Sequence, residues 1–149
     1  MILLTNRCYF CLGKMSGNKP GYVYIYFDGL CLFCNRCVRW LIRRDRADRF
    51  RFIALQAPRG QAFLEEHVLP LDLDTIYAQD GEAIYARSSA VLRLTKYLPG
   101  LWSLLQLARY IPRYLRDALY NYVARHRYRW WGKYEVCPLP DENIRHKFL

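Results

Sequence analysis

Three cysteines recur at intervals of three residues in the segment YIYFDGLCLFCNRC, which spans residues 24–37. Cys31 and Cys34 form a CxxC pair, and Cys37 follows after another three residues. A thiol can bind a metal ion, form a structural cross-link or exchange electrons with a disulfide. Which of these chemistries applies depends on the elements that hold the cluster.

The cysteine pair lies where a strand gives way to a helix. Residues 21–29 are β-branched and aromatic and are bounded by glycine, which favours a strand. From Cys34 onward, the apolar residues follow the period of a helix. The first N–H groups of a helix lack internal partners and carry the positive end of its dipole, so they stabilise a thiolate. We therefore expect Cys31 to be the exposed, ionised nucleophile and Cys34, one turn in, to resolve the mixed disulfide.

Two neighbouring residues complete this candidate site. Asp28 precedes Gly29, and an Asp-Gly pair suits a bend after a strand. The same carboxylate could also relay a proton to or from Cys34 during exchange, and the two roles are compatible. Cys37 falls in line with Val38 on the apolar stripe of the helix, so we expect it to be a small buried residue.

Zinc binding is the main competing hypothesis for these thiols. Two CxxC pairs separated by nineteen residues fall within the spacing of a four-cysteine zinc site. The candidate ligands are Cys8, Cys11, Cys31 and Cys34. Against this hypothesis, a predicted interior strand fills the gap, and the first pair lies in a segment with little pattern. The preferred interpretation therefore requires no metal and no cofactor.

The composition describes one ordinary domain with a basic surface. The chain has 149 residues, 53% of them hydrophobic, and a net charge of +10. We predict a loosely ordered leader over residues 1–20 and a single domain over residues 21–149. The sequence contains neither a secretory signal nor an apolar stretch long enough for a transmembrane segment. It therefore predicts a cytoplasmic protein, in which a structural disulfide framework is not expected.

The order of predicted elements is strand, helix, strand, helix, hairpin, helix. Asp80-Gly81 marks the hairpin turn, and Pro99-Gly100 ends the last helix of the series. A parallel βαβ unit followed by an antiparallel hairpin and a helix predicts an α/β, thioredoxin-like fold. Two further helices and an irregular tail follow. The predicted segments are 21–29, 34–46, 49–55, 59–69, 74–79, 82–87, 90–98, 101–111, 113–130 and 137–149.

The C-terminal region is basic and aromatic. Residues 109–133 contain seven Lys or Arg and one acidic residue. Leu115, Leu119, Tyr122 and Val123 recur near helical spacing, so this face is expected in the core. The simplest interpretation of the basic residues is a solvated face on a docked helix. As the third functional hypothesis, this face could bind an acidic partner, an anionic membrane surface or nucleic acid. Cys137 is expected to be buried, or else to approach Cys31 as an extra thiol.

The two ends of this domain resemble one protein family. FDGLCLFCNRCVRWL, with Asp28, Cys31 and Cys34, is similar to the motif of the DCC family of predicted thiol-disulfide oxidoreductases. RHRYRWWGKYEVCPLPDENIRHKFL resembles the closing segment of that family. The resemblance covers residues 22–149 and implies a thioredoxin-like fold with dithiol chemistry at the cysteine pair. It also implies a disulfide-containing protein or small-molecule substrate and a thiol reductant as partners.

The resemblance departs from better-known thioredoxin relatives at two places. Leu32 and Phe33 separate the two cysteines, where glycine, proline or histidine is common. Pro70 is the nearest proline before the third predicted strand, whereas thioredoxins carry a proline directly before it. The usual mode of binding peptide substrates is therefore not expected.

Overall fold

The computed structural model describes residues 21–135 and 140–149. The predicted leader, with Cys8 and Cys11, lies outside these residues, as does Cys137. The strands are β1 (Val23–Phe27), β2 (Phe50–Ala54), β3 (Tyr77–Asp80) and β4 (Ala83–Ala86). The α-helices are α1 (Leu32–Arg44), α2 (Pro58–Glu66), α3 (Arg87–Thr95) and α4 (Arg113–Trp131). Two 3₁₀ helices span Gly100–Tyr110 and Glu142–Lys147.

The four strands form one mixed sheet in the order β2-β1-β3-β4. β1 pairs in parallel with β2, with Val23 opposite Phe50, and antiparallel with β3, with Val23 opposite Asp80. β3 and β4 form the antiparallel hairpin. This arrangement confirms the predicted α/β class and the thioredoxin-like fold.

β1 is the central strand of a sheet covered on both faces. All five of its residues are buried. Val23, Ile25 and Phe27 pack into a core with α1 and α3, whereas Tyr24 and Tyr26 pack into a second core with α2. Because both faces are covered, the strand is apolar throughout rather than alternating. This packing on both faces holds the C-terminal end of β1 in place, and the cysteine pair follows a few residues later.

The close approach of α2 to β2 requires a glycine at position 60. A Cβ added to Gly60 would lie 2.8 Å from the Cα of Leu55 and still closer to the carbonyl oxygen of Ala54. Both of these are backbone atoms, so no side chain can turn aside. We expect Gly60→Ala to lower the free energy of unfolding by about 1–3 kcal/mol, measured by urea denaturation. Gly81→Ala, where the added Cβ meets no atom within 4 Å, controls for the loss of glycine, although its positive φ adds some strain.

The tail is more regular than the sequence predicts. Residues 142–147 form a 3₁₀ helix, and Phe148 forms a bridge with Phe52 of β2. Lys147 is buried and its Nζ lies 3.0 Å from a carboxylate oxygen of Asp45. The prediction of an irregular tail was therefore wrong for its described part, because a sheet edge and a buried carboxylate hold this segment in place.

The face by which α4 packs is not the one predicted. Leu115, Leu119 and Tyr122 are exposed, whereas Ala124 and Arg127 are buried. A helical period fixes which residues share a face but not which face points inward.

Among the described residues, no helix combines the length and apolar character needed to cross a lipid bilayer.

Candidate active site

Cys31 is the N-cap of α1. Its backbone is extended, and its Sγ accepts a hydrogen bond from the N–H of Cys34 at 3.4 Å. Asn35 holds the approach to the helix, since its Nδ2 donates to the carbonyl oxygens of Gly29 and Cys31 at 2.8 and 2.9 Å. At the N-terminus of a helix, a serine or aspartate side chain commonly accepts the hydrogen bond that the Cys34 N–H donates here to the Cys31 thiol. The sulfur thus lies at the positive end of the helix dipole, as the sequence predicts.

Cys31 is buried, which contradicts the prediction that it is exposed. The residue has 0% exposure. Lys133 forms an antiparallel bridge with it, and the N–H of Tyr134 donates to the carbonyl oxygen of Leu30 at 2.8 Å. Lys133 and Tyr134, here called the covering segment, therefore lie over the residues that lead into α1. This segment directly follows α4 and lies more than a hundred positions after Cys31 in the chain, so no local pattern near Cys31 indicates it.

The two thiols of the pair differ in acidity. The hydrogen bond from the Cys34 thiol, followed by that from the Cys34 N–H, lowers the pKa of Cys31 from 9.0 to about 6, against the opposing effect of burial. The same thiol–thiol hydrogen bond, together with burial, raises the pKa of Cys34 far above its ordinary value. Of the two thiols, Cys31 is therefore the more acidic, and Cys34 is the one that holds its proton more tightly.

Cys34 and Cys37, one turn apart on α1, differ in exposure. Cys34 is half-buried and packs against the core, and the Nη1 of Arg127 lies 3.4 Å from its Sγ. Cys37 is exposed, so the prediction that it is a buried residue was wrong. The helix turns Val38 and Leu41 into the core and leaves Cys37 at the border of their stripe.

Asp28 is a buried carboxylate at the centre of the site, with 1% exposure. Its Oδ1 accepts hydrogen bonds from the N–H of Leu30 at 3.0 Å and from Gln56 Nε2 at 2.6 Å. The first of these is an Asx turn, which confirms the role in the bend. Its Oδ2 accepts from Arg127 Nη2 at 3.0 Å and from the hydroxyl group of Tyr128. Its participation in proton transfer stays a prediction.

Arg127 joins the parts of this site, and sequence reasoning missed it. Only 4% of the residue is exposed. Its guanidinium contacts Asp28 and Cys34, and it donates to the carbonyl oxygen of Leu73 at 2.6 Å in the loop before β3. The signal was indirect: a buried carboxylate needs a cation, and residues 109–133 are rich in them. Nothing in the sequence selects this arginine among its neighbours.

Metal ligands do not cluster in the described part of the chain. Residues 21–135 and 140–149 contain no group of three or more His, Cys, Asp or Glu side chains arranged to hold an ion. Of the four predicted zinc ligands, Cys31 and Cys34 lie together, whereas Cys8 and Cys11 lie outside the described residues. The zinc hypothesis therefore stays a prediction.

Comparison with known proteins agrees with this geometry. The family model of the DCC1-like thiol-disulfide oxidoreductases matches residues 25–133, which include both cysteines, Asp28 and Arg127. The chain belongs to the DCC1-like family. This membership supports a redox role for the adjacent Cys31 and Cys34 of the DCC1-like protein.

Two relatives of this DCC1-like protein come from distant organisms. The uncharacterized protein YuxK of Bacillus subtilis is 36% identical over 127 residues, which cover 84% of this chain and 92% of YuxK. A chloroplastic DCC family protein of Arabidopsis thaliana is 36% identical over 118 residues, which cover 76% of this chain and 67% of the relative. No solved structure gives a significant match.

Proposed function

We propose that this DCC1-like protein is a thiol-disulfide oxidoreductase in which Cys31 is the nucleophile and Cys34 the resolving thiol. The observation that carries the proposal is the N-cap thiolate. Cys31 receives hydrogen bonds from the thiol and the N–H of Cys34, and its pKa falls to about 6. A thiolate, not a thiol, attacks disulfides, so Cys31 is ready to react at neutral pH.

The proposed exchange has two steps. The Cys31 thiolate attacks one sulfur of the substrate disulfide, which forms a mixed disulfide and releases the first substrate thiolate. Cys34 then loses its proton and attacks the sulfur of Cys31, which forms the Cys31–Cys34 disulfide and releases the second thiolate. Two electrons pass to the substrate, and the proton from Cys34 ends on a released thiolate. An external thiol reductant restores the pair.

We assign Asp28 to the proton of Cys34. Both groups contact one guanidinium, because Arg127 places Nη1 3.4 Å from the sulfur and Nη2 3.0 Å from the carboxylate. The shared guanidinium holds the carboxylate and the thiol on one cation, and a proton can pass between neighbouring groups directly or through one water molecule. Arg127 is the positioning residue, and its positive charge lowers the pKa of both thiols.

Accessibility favours Cys34 as the nucleophile, whereas charge favours Cys31. Cys34 is partly exposed, whereas Cys31 lies under the covering segment. We assign the nucleophile by charge, because an un-ionised thiol hardly reacts however exposed it is. A segment held by few backbone contacts at the surface opens locally at a small free-energy cost. Substrate access therefore requires displacement of Lys133 and Tyr134.

The proposed substrate is a disulfide in a protein or a small molecule, and the reductant is a thiol of a reducing compartment such as the cytoplasm. Phe33, between the two cysteines, stacks on Trp131 at a centroid distance of 4.5 Å. Both rings are only partly buried. They offer an apolar surface beside the pair, in place of the small or polar residues common in thioredoxin relatives.

The test is the alkylation rate of Cys31 as a function of pH. We expect a midpoint near pH 6, compared with the ordinary thiol pKa of 9.0, so that at pH 7 about 90% of Cys31 is ionised rather than about 1%. Because the folded pKa lies below the unfolded value of 9.0, the stability that the thiolate provides is complete above about pH 9. It is lost as the pH falls to about 6.

This titration is read on the reduced protein by mass spectrometry after trypsin digestion. Arg36 places Cys37 in a separate peptide, so its alkylation does not mask that of the pair. Fragment ions then separate Cys31 from Cys34. An unshifted midpoint for both cysteines would remove the activated nucleophile and, with it, the proposed function.

A further inference from the structure

The outer face of α4 carries an apolar stripe that the fold does not cover. Its members recur three, four or eight residues apart, which places them on one side of the helix. They are Leu115, Leu119, Tyr122 and Trp130, which are 50%, 68%, 55% and 47% exposed. The opposite side of the helix carries Ala124 and Arg127 and faces the domain. Leu115, Leu119 and Tyr122 are residues whose spacing predicts a core face, so their exposure is unexpected on energetic grounds.

The first 3₁₀ helix, which precedes α4 in the chain, carries further exposed apolar side chains. None of the eleven residues of Gly100–Tyr110 is buried. Gln106 fastens the segment to α3 through hydrogen bonds to the carbonyl oxygen of Leu92 and to the Oγ1 of Thr95. The segment is therefore held in place although its leucines are exposed. These are Leu101, Leu104, Leu105 and Leu107. We call the exposed side chains of this segment and of the α4 stripe the outer surface.

The charge beside the outer surface is positive. Arg109, Arg125 and Arg129 are exposed. Asp117 is the only acidic residue from 98 to 133. It is already engaged, because its carboxylate accepts a hydrogen bond from Ser88 and lies 3.4 Å from Arg113. The outer surface thus combines exposed leucines and aromatic rings with three arginines that form no ion pair within residues 21–135 and 140–149.

We propose that the outer surface binds the surface of an anionic phospholipid membrane. Leucines can enter the boundary between headgroups and acyl chains, and tyrosine and tryptophan rings lie at headgroup depth. Arginine side chains reach outward from an apolar face to phosphate groups, and each basic residue near an anionic surface adds attraction. Bound in this way, α4 lies along the membrane, with the Cys31–Cys34 pair near its C-terminal end.

Two other occupants fit the surface less well. A second copy docked on the same face through a two-fold axis would bring arginines against arginines without an acidic partner. Single-stranded nucleic acid could stack on Tyr122 or Trp130, but it leaves the exposed leucines without an apolar contact. An acyl-chain boundary satisfies both the apolar and the cationic parts.

The test is sedimentation of the full chain with large unilamellar vesicles. We expect binding to vesicles of phosphatidylcholine with phosphatidylglycerol at low salt, and at least about tenfold weaker binding to phosphatidylcholine alone. Raising the salt to about 0.5 M should weaken binding, because the Debye length then falls to a few ångströms. Leu119→Glu should lower the affinity for anionic vesicles by about tenfold or more. The double variant Arg125→Gln/Arg129→Gln should lower this affinity by a smaller factor.

The matched control is Leu71→Glu, at a residue 62% exposed outside the outer surface, which adds the same charge at similar exposure. It should bind like the unmodified chain. Equal losses in Leu71→Glu and Leu119→Glu, or failure to prefer anionic vesicles at low salt, would overturn the proposal. Two results obtained without vesicle binding would also overturn it. One is a dimer that Leu119→Glu dissociates, and the other is a gel shift of a single-stranded oligonucleotide by the protein. Disulfide exchange in solution should be unchanged in Leu119→Glu, which separates this proposal from the redox function.

Discussion

Replacing Cys31 with serine should abolish disulfide reduction. A serine hydroxyl does not ionise near neutral pH, so Cys31→Ser loses the thiolate that the α1 N-terminus stabilises. The hydrogen bond from the Cys34 N–H can still form to the new oxygen, and the cap of the helix is therefore kept. We expect activity at the level of the buffer alone, with the free energy of unfolding of the reduced protein changed far less than activity.

Cys34→Ser should instead stop the reaction half-way. Cys31 still attacks, but no thiol remains beside it to resolve the mixed disulfide. Intact-mass spectrometry after incubation with a small aromatic disulfide should show one stable adduct per chain, located on Cys31. Its rate of formation should fall several-fold below that expected from the wild-type thiolate, because the Cys34 thiol contributes the largest part of the pKa decrease at Cys31.

Cys37→Ala is the control for both variants. The thiol of Cys37 is exposed on α1, one turn beyond Cys34, so its removal should leave activity intact and change stability by less than about 0.5 kcal/mol. The assigned roles would be reversed if Cys31→Ser formed an adduct on Cys34 as fast as Cys34→Ser forms its adduct on Cys31. Such a result would mean that exposure outweighs ionisation at this site.

Replacing Arg127 should affect both stability and chemistry. Arg127→Met leaves Asp28 buried beside Gln56 and Tyr128 without its cation, a change that costs about 3–5 kcal/mol when one partner of a buried pair is lost. It should also raise the pKa of Cys31, because the positive charge of Arg127 lowers that pKa while the charge of Asp28 raises it. Urea denaturation of the reduced protein measures the first effect, and the alkylation profile measures the second.

A double-mutant cycle separates the ion pair from simple packing. Asp28→Asn with Arg127→Met should recover a large part of the lost stability, because neither charge then stays buried alone. The recovered protein should still show slower resolution of the mixed disulfide if Asp28 takes the proton of Cys34. Arg125→Met, at an exposed position on the same helix, should change neither readout. A raised pKa of Cys31 in Arg125→Met would show that the charge of α4 as a whole, not the contact of Arg127, controls the thiol.

The sequence by itself determined the order of the elements and the place of the chemistry. The apolar run of β1 and the helical period after Cys34 are local signals, and together they fix a strand-to-helix junction at the cysteine pair. Asp80-Gly81 sets the hairpin turn in the same way. Because each feature depends on residues close in the chain, the thioredoxin-like fold and the N-cap position of Cys31 followed without any knowledge of packing.

Only the tertiary structure decided what surrounds the pair. Arg127 reaches Asp28 across 99 residues of sequence, and Lys133 covers Cys31 from the same distant segment. The period of α4 is visible in the sequence, but only the structure shows its orientation. The helix turns Arg127 inward to the buried carboxylate of Asp28, which needs a cation, and leaves Leu119 exposed. Periodicity specifies which side chains share a face, and only the partner elements determine which face they cover.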